Sequence, residues 1–67
     1  MIEVTVTHSS GLRDAAEADT PEDAVFAGRT LFDEACDVSP DQGFRRSLRV
    51  QFLVDGQSVW AWVGTRP

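Results

Sequence analysis

Apolar and polar residues alternate singly from Ile2 to His8, with Ile2, Val4 and Val6 on one side and Glu3, Thr5 and Thr7 on the other. That two-residue period predicts a half-buried β-strand over 2–8. Ser9-Ser10-Gly11 is a turn signal. Residues 12–18 are read as a strand returning from it, because a long structureless connection is unusual in so short a chain. Their alanines leave an irregular loop with one helical turn as the alternative.

From Pro21 the period changes. Val25, Gly28, Leu31, Phe32 and Ala35 recur at helical spacing, and Glu22, Arg29, Asp33 and Glu34 fall on the opposite side, which predicts a helix over 21–36. Thr20 suits the N-cap and Pro21 the first helical position; Glu22 and Asp23 complement the positive end of the macrodipole. Gly28 costs roughly 1 kcal/mol relative to alanine in mid-helix, so a close approach of helix to sheet is expected there. Phe26 lies off the apolar stripe. Asp37 to Gly43 reads as a loop, with Pro40 and Gly43 as breakers.

Two β-rich runs, 44–54 and 57–63, flank Asp55-Gly56, a pair suited to the positive φ angles of a type I′ hairpin turn. Counting back from Val54 opposite Gln57 pairs Leu53 with Ser58, Phe52 with Val59, Gln51 with Trp60 and Arg49 with Trp62. In this register Leu48, Val50, Phe52, Val54, Val59, Ala61 and Val63 face the core. Arg45, Ser47, Arg49, Gln51, Leu53, Trp60 and Trp62 face away. A one-residue slip, or a bulge near Gly56, would turn the tryptophans inward and expose Val59 and Val63. Gly64 to Pro67 forms a tail. The expected fold is a single α+β domain, ββαββ, with a four-stranded, mainly antiparallel sheet and one helix on one face.

At 67 residues, such a domain buries only about 60% of its unfolded surface and commonly needs a disulfide, a metal, oligomerisation or very good packing. A single cysteine, Cys36, and a single histidine, His8, disfavour the first two. No cofactor is therefore expected. No apolar run approaches the roughly 20 residues of a membrane span, and the amino terminus lacks a basic-then-apolar leader pattern. A cytoplasmic location is the resulting expectation.

The net charge of −5 disfavours nucleic acid as a partner, since phosphate neutralisation calls for a basic balance. The charge is unevenly placed. Residues 14–41 hold nine acidic groups against Arg29, a net −8, whereas residues 44–67 set Arg45, Arg46, Arg49 and Arg66 against Asp55, a net +3. The six basic residues are all arginine, a codon-composition hint of a GC-rich bacterial or phage source.

Candidate chemistry concentrates on the second hairpin face. Trp60 and Trp62 with Leu53, Arg49 and Arg45 would make an apolar patch rimmed by arginine, the composition of binding hot spots. Its bland reading is a cross-strand stack of Arg49 on Trp62. The functional readings are a homodimer or a different protein partner, with a single-strand nucleic-acid platform as runner-up. The acidic helix side could dock on a basic protein, although a solvated helix face explains it as well. His8 has no acid at triad spacing and suits a turn role. Cys36 reads as a small apolar residue. The helix start Ala18 to Ala24, ADTPEDA, is similar to the strand-to-helix step of many small bacterial and phage domains, HicB-type antitoxins among them; the likeness stops at the cap, and no family is assigned from it. The expected function is a small non-enzymatic protein-interaction domain binding itself or a host or pathway protein.

Overall fold

The computed structural model describes residues 1–39 and 41–66. Pro40, expected as a breaker, and Pro67, the end of the expected tail, lie outside the described residues. The elements run β1 (Ile2–Thr7), β2 (Arg13–Ala18), α1 (Pro21–Val38), α2 (Gln42–Ser47), β3 (Arg49–Val54) and β4 (Gln57–Val63). They form one sheet of order β2-β1-β3-β4, with every neighbouring pair antiparallel and α1 packed on one face. The expected ββαββ architecture is therefore present, with a short second helix added.

Each local signal has a visible partner in space. The β1–β2 turn closes through His8 and Gly11, the Gly11 N–H donating to the His8 carbonyl at 3.0 Å, and Gly11 takes φ +102°. At the start of α1 the Asp23 N–H donates to Thr20 Oγ1 at 3.2 Å. Thr20 is extended and Pro21 occupies the first turn. Removing this cap, Thr20→Ala, is expected to cost about 1 kcal/mol. In a domain of this size that is a drop of roughly 4 to 8 °C in Tm, readable by circular dichroism.

The core lies between α1 and the sheet. Val4, Val6, Leu48 and Val50 have no exposed surface, and Phe32 from the helix is almost as deeply buried. Burying side chains of this kind stabilises by about 1.5 to 3 kcal/mol each. Ala24, Gly28, Leu31, Phe32 and Ala35 are the buried helix positions, one turn-mate away from the expected stripe because Ala24 rather than Val25 points inward. The close approach expected at Gly28 is present: a Cβ built there would stand 2.9 Å from Phe52 Cζ and 2.9 Å from Trp62 Cη2.

Residues 42–47 correct the sequence reading. A strand was expected from Phe44, but α2 occupies this stretch, so Arg45 belongs to a helix and not to the hairpin. Asp41 caps it, accepting from the Phe44 N–H at 3.3 Å, and Ser47 Oγ donates to the Gly43 carbonyl at 3.0 Å. Arg45 and Arg46 fall in its last turn, where cations favour the helix dipole. Phe44 and Leu48 are four apart, so a helical turn sends both to the same side: Leu48 into the core and Phe44 against the His8 ring at a centroid distance of 4.1 Å.

Candidate functional site

The hairpin begins as expected and then departs. Asp55 (φ +53°) and Gly56 (φ +81°) form the turn, and Val54 pairs with Gln57 and Leu53 with Ser58. Beyond that point the register shifts: Phe52 pairs with Trp60, Gln51 with Ala61, Val50 with Trp62 and Arg49 with Val63. Val59 is the extra residue of a β-bulge. Because side chains alternate, this one insertion moves Trp60 and Trp62 from the outer face to the helix face.

The energetics explain why the bulge wins. Trp62 is only 8% exposed, and burying about 200 Å² of indole at about 25 cal/mol per Å² is worth on the order of 5 kcal/mol. Against this stand one interrupted ladder bond, about 1 kcal/mol, and a buried indole N–H that finds no acceptor among the described residues, about 1 to 3 kcal/mol. The unbulged register would instead bury Val59, Ala61 and Val63, which carry far less apolar area. Phe52, Trp60 and Trp62 then form one cluster with ring centroids 5.2 to 5.5 Å apart.

The expected partner-binding set is thereby divided. Arg49 and Leu53 lie on the outer face as expected, Arg45 sits on α2, and Trp60 and Trp62 lie on the opposite face of the sheet. The expected stack of Arg49 on Trp62 does not form, since Arg49 pairs with Val63. The basic and aromatic platform for unpaired bases is likewise not assembled.

Inside this new arrangement Trp60 is distinct from Trp62. It stacks on Phe52 at 20° but remains 47% exposed, beside Val59 at 62% and Val54 at 38%. Helix α1 packs on β1 and β2 and only lightly on β3, so the β3–β4 side of this face is covered by its own aromatics. What remains open is a groove of about 220 Å³ between the start of α1 and the hairpin. Pro21, Ala24 and Val25 line its helix wall; Ile2, Phe52, Val54, Val59 and Trp60 line the sheet wall. Every one of these residues is apolar. An apolar concavity with a half-exposed tryptophan on its wall is the kind of surface that takes an apolar side chain of a partner.

The groove runs beside a free strand edge. Both β2 and β4 are edge strands, but they are protected unequally. β2 carries Arg13, Asp14 and Glu17, charges that discourage a further strand, whereas β4 reads QSVWAWV and has none. That contrast was readable in the sequence as seven successive uncharged residues ending the hairpin; that Val59 and Trp60 complete a groove with Ile2, Val25 and Val54, all three expected on core-facing sides, was not, since it depends on the bulge.

Other reactive side chains have local explanations. His8 Nδ1 accepts the Ser10 N–H at 2.9 Å and meets Ser10 Oγ at 2.8 Å, a turn contact. Cys36 is partly buried against the core. Among the described residues, no group of three or more His, Cys, Asp or Glu side chains could hold a metal, and no helix is long and apolar enough to cross a membrane. No protein-family model, curated protein or solved structure matches the chain.

Proposed function

We propose that this chain is a non-enzymatic protein-interaction module that takes an extended apolar segment of a protein partner along β4. The observation that carries this reading is the coincidence of an uncharged free edge with an apolar groove centred on half-exposed Trp60. Strand addition supplies main-chain hydrogen bonds along an edge, and a neighbouring pocket selects alternate side chains. Trp60 is suited to the anchor role because its ring is already held by Phe52, which lowers the ordering cost of binding.

The test is a peptide selection from a random display library against the folded domain. Selected peptides are expected to alternate β-branched or aromatic residues with polar ones and to protect the outward β4 amides from hydrogen exchange. Trp60→Ser should weaken the selected peptides at least tenfold while leaving the cooperative unfolding transition in place. Peptides that bind Trp60→Ser as tightly as the unmodified chain, or that protect another element, would sink the proposal.

A further inference from the structure

The outer face of the sheet carries a charge pattern that pairs with itself. Cross-strand register arranges it in three rows: Arg13, Thr7, Arg49 and Val63; then Ala15, Thr5, Gln51 and Ala61; then Glu17, Glu3, Leu53 and Ser58. The first row is basic, the middle one uncharged and the third acidic. Rows one and three lie four residues apart along the strands, roughly 13 Å, too far for their side chains to pair within one sheet. None of these four charged groups makes an ion pair among the described residues, where Arg66 with Asp33 at 3.2 Å is the contact present. Glu3 and Glu17 are direct cross-strand partners, an arrangement that destabilises a sheet unless something offsets it.

We infer that a second copy of this chain covers this face, packed sheet to sheet about a two-fold axis that runs along the middle row. That rotation reverses strand direction and lays the basic row of each copy over the acidic row of the other. Arg13 then faces Glu17 of the second copy, and Arg49 reaches the second copy's Glu3 diagonally. Each copy's like-charge cluster is neutralised by the other, twice over, as an isologous interface requires. The middle row permits the approach: Ala15 and Ala61 are short, and Thr5 is 5% exposed although it points away from the helix. Gln51 lies on the axis with the rest of this row and can meet its own copy through paired amides.

Size supports a reversible dimer. Four strands at about 4.8 Å spacing and six residues at about 3.3 Å give a face of roughly 19 by 20 Å. Once side-chain relief is included, two such faces bury on the order of 1,000 Å², the lower bound for a specific interface. Micromolar self-association is the matching strength. This surface is separate from the Trp60 groove, so both can be occupied together.

Charge exchange tests the inference by sedimentation velocity. The unmodified chain is expected to pass from monomer to dimer between roughly 10 and 300 micromolar, and added salt should weaken the dimer several-fold. The double variants R13E with R49E and E3R with E17R should each remain monomeric over that range, with folding checked by circular dichroism. Their equimolar mixture should dimerise again, because each then presents only the charge the other lacks. The neutral pair R13Q with R49Q, which adds no repulsion within the monomer, should lose association at least tenfold. A chain that stays monomeric throughout, a mixture that fails to associate while both variants are folded, or a dimer abolished by Trp60→Ser and untouched by the charge variants would overturn it.

Discussion

Replacing Trp62 by alanine is expected to leave most of the chain unfolded at room temperature. Large-to-small changes of a buried tryptophan cost about 3 to 5 kcal/mol, and the core of a domain this short rarely supplies more than about 3 to 5 kcal/mol in total. The indole is 8% exposed, packs on Phe52 and reaches the helix at Gly28, so no solvent can relax into its place without opening the α1–sheet contact. Recovery of the orphaned indole N–H offsets only part of the loss. Trp60→Ala is the internal comparison: at 47% exposure it should cost about 1 to 2 kcal/mol and keep a cooperative transition. Urea titrations of both variants read this difference directly. Equal and small effects would mean that the tryptophans share the outer face and that Val59 is not a bulge.

The second large effect belongs to Gly28→Val. The first added carbon already meets Phe52 Cζ and Trp62 Cη2 at 2.9 Å and Val50 Cγ1 at 3.2 Å, and valine adds two methyl groups beyond it. The colliding atoms are tips of rings held in a packed cluster, so relief requires the helix to lift. Overpacking of this kind costs about 1 to 3 kcal/mol, at the upper end here, against a helix-propensity gain of a few tenths. Gly28→Ala is milder, since removing glycine from a helix returns about 1 kcal/mol. Thermal unfolding should therefore rank unmodified chain, Gly28→Ala and Gly28→Val in falling order of Tm. An increase in Tm for Gly28→Val would show that helix and sheet are not in contact at this point.

Local chemistry made much of the fold legible. The alternation of Ile2, Val4 and Val6, the Thr20-Pro21 helix start and the Asp55-Gly56 turn each depend on neighbours within a few residues, and each forms as expected. Even the strand expected over 12–18, argued from the preceding turn and the shortness of the chain, forms over Arg13–Ala18 and pairs with β1. Residues 42–47 form a helix in place of the expected strand for a reason of the same kind: the Asp41 cap and the Phe44–Leu48 spacing act locally, ahead of the β-rich run that follows.

The candidate site was legible only in its ingredients. Trp60, Trp62, Arg49 and Leu53 stood out as the residues able to make contacts, yet which of them share a face depends on one inserted residue. A turn sets register only as far as the ladder continues unbroken, and Val59 ends that continuity two pairs from the turn. The Arg13, Arg49, Glu3 and Glu17 rows are invisible in the linear order because they join three strands whose registers are set independently.

By itself the sequence determined the four strands and the long helix, their order, the turn and most of the apolar helix stripe, because these follow from torsional preference and hydrogen bonding over short distances. The tertiary structure alone decided that the tryptophans turn inward, that β4 presents an open groove and that the outer face carries opposed charged rows. The physical reason is that apolar burial is won between elements: two indoles gain more against Phe52, Val50 and the gap left by Gly28 than a regular ladder loses at Val59.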